Sequence, residues 1–271
     1  MLARGFGVVG YDIDPVRCDA LARAGGTPVS GVAEVADRTK RVFLSLLTTK
    51  TVCAVVEADG GLLGVTDPPR FVMDTTTGAP DETIALADRL AGRGIGYLDA
   101  TISGSSQQIR DRDALFMVGG HDGVFQACRD LLEAVSDNMI HVGPPGSGSK
   151  AKLASNLILG LNRLVLAEGL VFAEKLGLDL PSFLSLLKQS PAYSVAMDVK
   201  GEKMLRGDFA PQARVSQHNK DLRIILDNAE KAGLELPLAK LHHDILEDLI
   251  ADGDGDLDCC AVIKAIRERQ K

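Results

Sequence analysis

Gly143-Pro-Pro-Gly-Ser-Gly148 is where the pattern of the chain changes. On its N-terminal side, short apolar runs alternate with helical periodicity. Residues 6–11, 41–47, 70–74, 95–99, 114–118 and 139–142 read as strands, with helices expected over 49–58, 80–93 and 123–135. Strands this short, separated by helices of about ten residues, imply an α/β fold with a doubly wound, mainly parallel sheet and helices on both faces. On the C-terminal side, residues 149–176 keep helical periodicity without a proline. Further helices are expected to start near Pro181, Ala192, Pro211, Pro237 and Asp258, since proline is tolerated in a first helical turn. The expected division is an α/β domain over 1–147 and an all-helical domain over 148–271.

The chain has 271 residues, 45% hydrophobic and 25% charged, with a formal net charge of −7. That length suits two domains, each able to bury a core without metals or disulfides. The acidic balance argues against nucleic acid as a partner, because phosphate backbones call for a broad basic surface. Cys18, Cys53, Cys128, Cys259 and Cys260 are scattered and odd in number, which reads as free thiols in a reducing, cytoplasmic setting. His242 and His243 are adjacent, so on a helix they point in different directions and do not share a metal. No uninterrupted run of about 18 apolar residues appears, so no membrane span is expected. The first residues lack the long apolar core of a signal peptide.

A doubly wound nucleotide-binding sheet opens with a strand, a glycine-rich turn and a helix. Here residues 1–4 read as the last turn of such a helix, and Gly5 and Gly7 as a helix stop directly before a strand. The sheet is therefore expected to lack its first strand and the turn that grips a pyrophosphate. A chain that starts late explains this better than evolved loss.

Four places carry candidate chemistry. Asp12 closes the strand over 6–11, where an acidic side chain can accept hydrogen bonds from a ribose and would repel a 2′-phosphate; it could equally cap the helix beginning near Pro15, alone or through Asp14. Asp99-Ala-Thr-Ile-Ser-Gly-Ser-Ser106 ends a strand at the edge where such sheets place ligands. There Ser103, Gly104 and Ser105 offer hydroxyls and close backbone N–H groups to a carboxylate, unless the segment is only a polar turn. Gly146-Ser-Gly-Ser-Lys-Ala-Lys-Leu-Ala-Ser-Asn156 opens the long helix. Lys152 and Asn156 share a face there and could hold a hydroxyl group, Lys150 points elsewhere, and the ordinary alternative is a solvated lysine. Lys220-Asp221 on a late helix reads by itself as an exposed ion pair.

Taken in order, Gly10-Tyr-Asp12, Asp74-Thr-Thr-Thr77, Asp99-Ala-Thr-Ile-Ser-Gly104, Ala114-Leu-Phe-Met-Val-Gly-Gly120, the 146–156 segment and Lys220-Asp-Leu222 resemble the β-hydroxyacid dehydrogenase family over almost the whole chain. The family includes 3-hydroxyisobutyrate, tartronate semialdehyde and L-threonate dehydrogenases. The resemblance implies a Rossmann-type sheet, a helical domain that forms the subunit contact of a homodimer or homotetramer, and hydride transfer between NAD and a small β-hydroxy acid. It implies Lys152 as the catalytic lysine and Asn156 as the residue orienting the substrate hydroxyl. Ser103, Gly104 and Ser105 become the substrate-carboxylate loop. Asp12, Leu47, Thr48, Thr77 and Lys220 become the cofactor contacts, with NADP disfavoured by Asp12. This chain departs from the family where Thr48 and Thr101 replace prolines, Ser105 replaces a glycine and Ser155 replaces a first asparagine, which bears on the substrate and not on the reaction class. Two alternatives are an NADPH-dependent semialdehyde or glyoxylate reductase and, given the missing pyrophosphate loop, a non-catalytic dimerisation scaffold.

Overall fold

Residues 1–269 are described by a computed structural model. They form two compact units, Met1–Lys152 and Leu153–Lys271, so the division falls five residues beyond the one expected, inside a helix. The first unit opens with a 3-10 turn, Leu2–Arg4, closed by Gly5 at a left-handed φ of 82°. This is the helix stop that the spacing of Gly5 suggested. Then come β1 (Val9–Gly10), α1 (Pro15–Arg23), β2 (Thr27–Pro28), α2 (Val32–Arg38), β3 (Arg41–Leu44), α3 (Thr49–Glu57), β4 (Phe71–Asp74) and α4 (Pro80–Ala91). β5 (Gly96–Ser103), α5 (Ser106–Arg110), β6 (Leu115–Gly119), α6 (Asp122–Val135), β7 (Asn138–Gly143) and α7 (Ser147–Lys175) follow.

The strands form two sheets. β1 pairs in parallel with β2, and a five-stranded sheet runs in the order β3-β4-β5-β6-β7, parallel throughout except for β5 against β6. β1 is shorter than the apolar run around it because its partner is short. The bonds from Thr27 N to Val8 O and from Val29 N to Gly10 O make up the ladder, and the nitrogen of Pro28 between them faces away from β1, where its missing N–H costs that pairing nothing. Both faces of the larger sheet are buried, as a helix-covered sheet requires. Val72 and Tyr97 point into a cluster with Val42, Val52, Leu86 and Leu90. Their neighbours Met73 and Leu98 point the other way, into a cluster with Phe116, Val118, Leu131 and Leu132.

The second unit continues α7 into α8 (Leu180–Lys188), α9 (Glu202–Arg206), α10 (Val215–Lys231), α11 (Pro237–Ala251) and α12 (Val262–Glu268). Leu166, Leu170, Leu184, Met204, Leu222, Leu246 and Ile263 are among the residues of its core. Two helix starts differ from expectation. The helix expected near Ala192 begins at Val195, passes through a π turn over Met197–Gly201 and runs into α9. The one expected at Pro211 begins at Val215, because the N–H groups of Gln212 and Ala213 are drawn to the buried Asp258 carboxylate at 2.9 and 3.1 Å. The Lys200 ammonium completes that arrangement at 2.9 Å.

By length and composition α7 is apolar enough to cross a bilayer. No uninterrupted apolar run announces this, since Asn162, Arg163 and Glu168 break it. Half of its most apolar window is buried.

Candidate active site

The loops after β3 and β4 are held together by threonines. Thr76 Oγ1 accepts Leu46 N–H at 3.1 Å, Thr75 Oγ1 donates to Leu44 O at 2.8 Å, and Thr49 Oγ1 accepts Ala79 N–H at 3.0 Å. Gly78 admits no side chain, because a Cβ there would lie 2.1 Å from Thr49 Oγ1. Beneath them Asp74 is buried and accepts Thr76 N–H at 2.9 Å and the Tyr97 hydroxyl at 2.8 Å. Burial pushes the Asp74 carboxyl up, and these hydrogen bonds only partly restrain it. The structure thus brings Leu47, Thr48 and Thr77 to one edge, at the carboxyl ends of neighbouring parallel strands. Leu47 is 78% exposed. Thr48 caps α3 by accepting Thr51 N–H at 3.1 Å. A proline there could not make that bond, which gives the substitution a structural role.

Asp12 follows β1 and is exposed. Asp14, not Asp12, is the N-cap of α1, and one Asp12 oxygen accepts Asp14 N–H at 2.9 Å. The other makes no hydrogen bond to the described residues, so Asp12 supports the turn and keeps one acceptor oxygen exposed. Tyr11, Ile13 and Val16 are exposed apolar side chains around it. An apolar patch beside an acidic acceptor, with exposed Leu47 and capped loops at the ends of β3 and β4, fits a nicotinamide dinucleotide. Among the described residues no group of three His, Cys, Asp or Glu could hold a metal ion.

β5 carries the next group. Ser103 is its last residue and half-buried. Gly104 has φ 152°, and a Cβ there would meet Ala114 Cβ at 2.9 Å, so the bend requires glycine. Ser105 caps α5 in a reciprocal capping box with Gln108. Its oxygen accepts one hydrogen bond there, which leaves its proton and one further lone pair. The start of α7 docks on the same strand. The buried Asp99 carboxylate accepts Gly146 N–H at 2.9 Å and Ser149 N–H at 2.7 Å. Thr101 Oγ1 donates to Gly148 O at 3.0 Å. A Cβ on Gly148 would lie 2.2 Å from Asp99 O and 2.6 Å from Met117 O.

Lys152 lies just beyond this docked turn and is 9% exposed, whereas Lys150 is exposed. Asn156, one turn further along α7, is 6% exposed. In the second unit the Asn156 amide nitrogen donates to Asp221 Oδ2 at 2.9 Å. A carboxylate only accepts, so this bond fixes which way the amide is flipped and turns Asn156 Oδ1 away from Asp221. Asp221 is buried and also pairs with the Lys220 ammonium at 3.2 Å. The pair read from sequence as exposed is therefore half-buried, and Asp221 is a site residue that sequence reasoning missed. The available clue was position: Asp221 falls one turn before Ile225 and three residues after His218 on α10, both buried, at the edge of the helix's inward face. A carboxylate on an apolar face needs a partner.

Residues 1–143 match the family described as the NAD binding domain of 6-phosphogluconate dehydrogenase. Residues 146–266 match the one described as NAD-binding of NADP-dependent 3-hydroxyisobutyrate dehydrogenase. The chain is 30% identical to 2-(hydroxymethyl)glutarate dehydrogenase of Eubacterium barkeri, over 97% of this chain and 88% of that protein. It is also 30% identical to 2-hydroxy-3-oxopropionate reductase of Escherichia coli, over 94% and 87%. Among solved structures, Mycobacterium tuberculosis 3-hydroxyisobutyrate dehydrogenase with L-serine superposes with a TM-score of 0.87 at 26% identity, over 98% of this chain and 92% of that one.

Proposed function

The chain belongs to the β-hydroxyacid dehydrogenase family of 3-hydroxyisobutyrate dehydrogenase-like proteins, and from that premise we propose that it interconverts a small β-hydroxy acid and its carbonyl form with a nicotinamide cofactor. The observation that carries this is the burial of Lys152 and Asn156 one turn apart on α7. A lysine removed from water has no role on a solvated face.

An alcohol becomes a carbonyl by losing a proton and a hydride. Lys152, in its neutral form, takes the hydroxyl proton and returns it in the opposite direction. Asn156, held by Asp221, orients the hydroxyl. Ser103 and the backbone at Gly104 hold the substrate carboxylate. The nicotinamide ring, when bound, supplies or accepts the hydride. Asp12, Leu47, Thr48, Thr77 and Lys220 hold the cofactor, with the free acceptor of Asp12 favouring NAD over NADP. The reductase named among the relatives represents the same step run backwards. Free thiols at all five cysteines suit a reducing, cytoplasmic setting. Ile158, Val165 and Phe172 are 62%, 65% and 64% exposed at seven-residue spacing along α7. This is the stripe a second copy of the helix would cover, which supports a homodimer.

Steady-state rates with NADH and NADPH on tartronate semialdehyde, succinic semialdehyde and glyoxylate, and with NAD on 3-hydroxyisobutyrate, test the proposal. Lys152→Ala should lower kcat by about 10²–10⁴ without changing the circular dichroism spectrum. Undiminished turnover would remove Lys152 from the chemistry.

A further inference from the structure

We propose that Asp99 is a positioning residue of this site: by fixing the start of α7 to β5, it sets where the Lys152 amine stands relative to the Ser103–Gly104 bend. This rests on the reading of Lys152 as the proton acceptor.

The carboxylate is 1% exposed and each oxygen is occupied by a different N–H of one helical turn, Gly146 and Ser149. It satisfies donors that a helix start leaves without intrahelical partners and faces the positive end of the helix dipole. Lys152 follows Ser149 by three residues, about 4.5 Å along the helix axis, so the root of its side chain inherits that anchor. Asp99, Thr101 and Ser103 alternate on one face of β5, with about 6.6 Å between successive members. The first holds two N–H groups of α7, the second holds its Gly148 carbonyl, and the third enters the bend. One strand face therefore spans the distance between proton acceptor and carboxylate loop.

The sheet does not need this carboxylate. The backbone of Asp99 already pairs with Asp74 on one side and Gly119 on the other. Burial by itself pushes the Asp99 carboxyl up, against the N–H groups of Ser149 and Gly146 that hold it down. An apolar residue would fill the space without that cost. What the carboxylate adds is a single docking geometry for α7. The contact is tight on every side, since a Cβ on Gly119 would meet Asp99 Oδ1 at 2.4 Å and Gly148 N at 2.6 Å.

The test compares Asp99→Asn, Thr101→Val and Lys152→Met in the full chain. An amide keeps the shape of Asp99 but turns a donor toward one of the two N–H groups. A misplacement of about 1 Å is worth about 10²-fold in rate. Asp99→Asn should therefore lower kcat 10- to 100-fold on tartronate semialdehyde while KM and the NADH dissociation constant stay within about twofold. The milder Thr101→Val should lower kcat by less, again without moving KM. Independently of turnover, reductive methylation of Lys152, followed by peptide mass spectrometry, should change rate in Asp99→Asn while labelling of Lys150 does not. If Lys152→Met retains activity, the catalytic reading itself fails. If Lys152→Met is inactive but Asp99→Asn keeps both its kcat and its Lys152 labelling rate, only the positioning role is overturned. Unchanged labelling in both Asp99→Asn and Thr101→Val overturns it even where no turnover is detected.

Discussion

Lys200→Met should unfold the helical unit at a markedly lower temperature. Asp258 is fully buried and accepts the Lys200 ammonium at 2.9 Å together with the N–H groups of Gln212, Ala213 and Cys260 at 2.9, 3.1 and 3.0 Å. Burial alone would raise its pKa. Lys200 and the backbone donors outweigh burial and hold the carboxyl far below the usual carboxylate range. Removing one partner of such a pair leaves an uncompensated buried charge and costs about 3–5 kcal/mol. At about 2.1 cal/mol/K per residue, a unit of about 120 residues shifts by about 4 °C per kcal/mol, so its Tm should fall by about 12–20 °C. The sign with pH follows from the lowered pKa. The contribution of Asp258 is fully present above the unfolded value of about 4 and declines as pH falls below it. Thermal unfolding followed by circular dichroism, in a double-mutant cycle with Asp258→Asn, measures the coupling. A loss under about 1 kcal/mol for Lys200→Met, or no excess of either single variant over the double, would refute the reasoning.

His242 is buried, and burial, with smaller contributions from Arg163 and His243, lowers its pKa to about 4. The folded state disfavours the proton that the unfolded state binds near pH 6.5, so stability should drop by roughly 3 kcal/mol between pH 6.5 and 4. His242→Leu should flatten that slope, and parallel pH profiles for the two proteins would contradict the assignment. Phe172→Glu places a charge in the exposed stripe of α7. Light scattering should show it shifted toward monomer relative to the unsubstituted chain, and an unchanged mass at equal concentration would exclude this face from the contact.

Periodicity and turn chemistry made much of the architecture legible. The alternation before Gly143, the proline starts of α4, α8 and α11, and the unbroken helical pattern of α7 each placed an element within a few residues of its position. These are local properties, written in the spacing of apolar side chains and in the few residues that cap or stop a helix. β2 and α5 escaped because they are two and five residues long, too short for a period to register.

The sequence by itself determined which side chains could do chemistry, and in which order they occur. Lys152 and Asn156 share a helix face whatever surrounds that helix, because 3.6 residues per turn makes it so. Tertiary structure decided which of them leave water and what each then meets. It turned Asp221 from half of a surface pair into the partner of Asn156, drew Gln212 and Ala213 out of a helix toward Asp258, and gave Thr101 a carbonyl to hold. Burial and hydrogen-bond partners depend on residues tens of positions away, and periodicity along one segment contains no record of what will be packed against it.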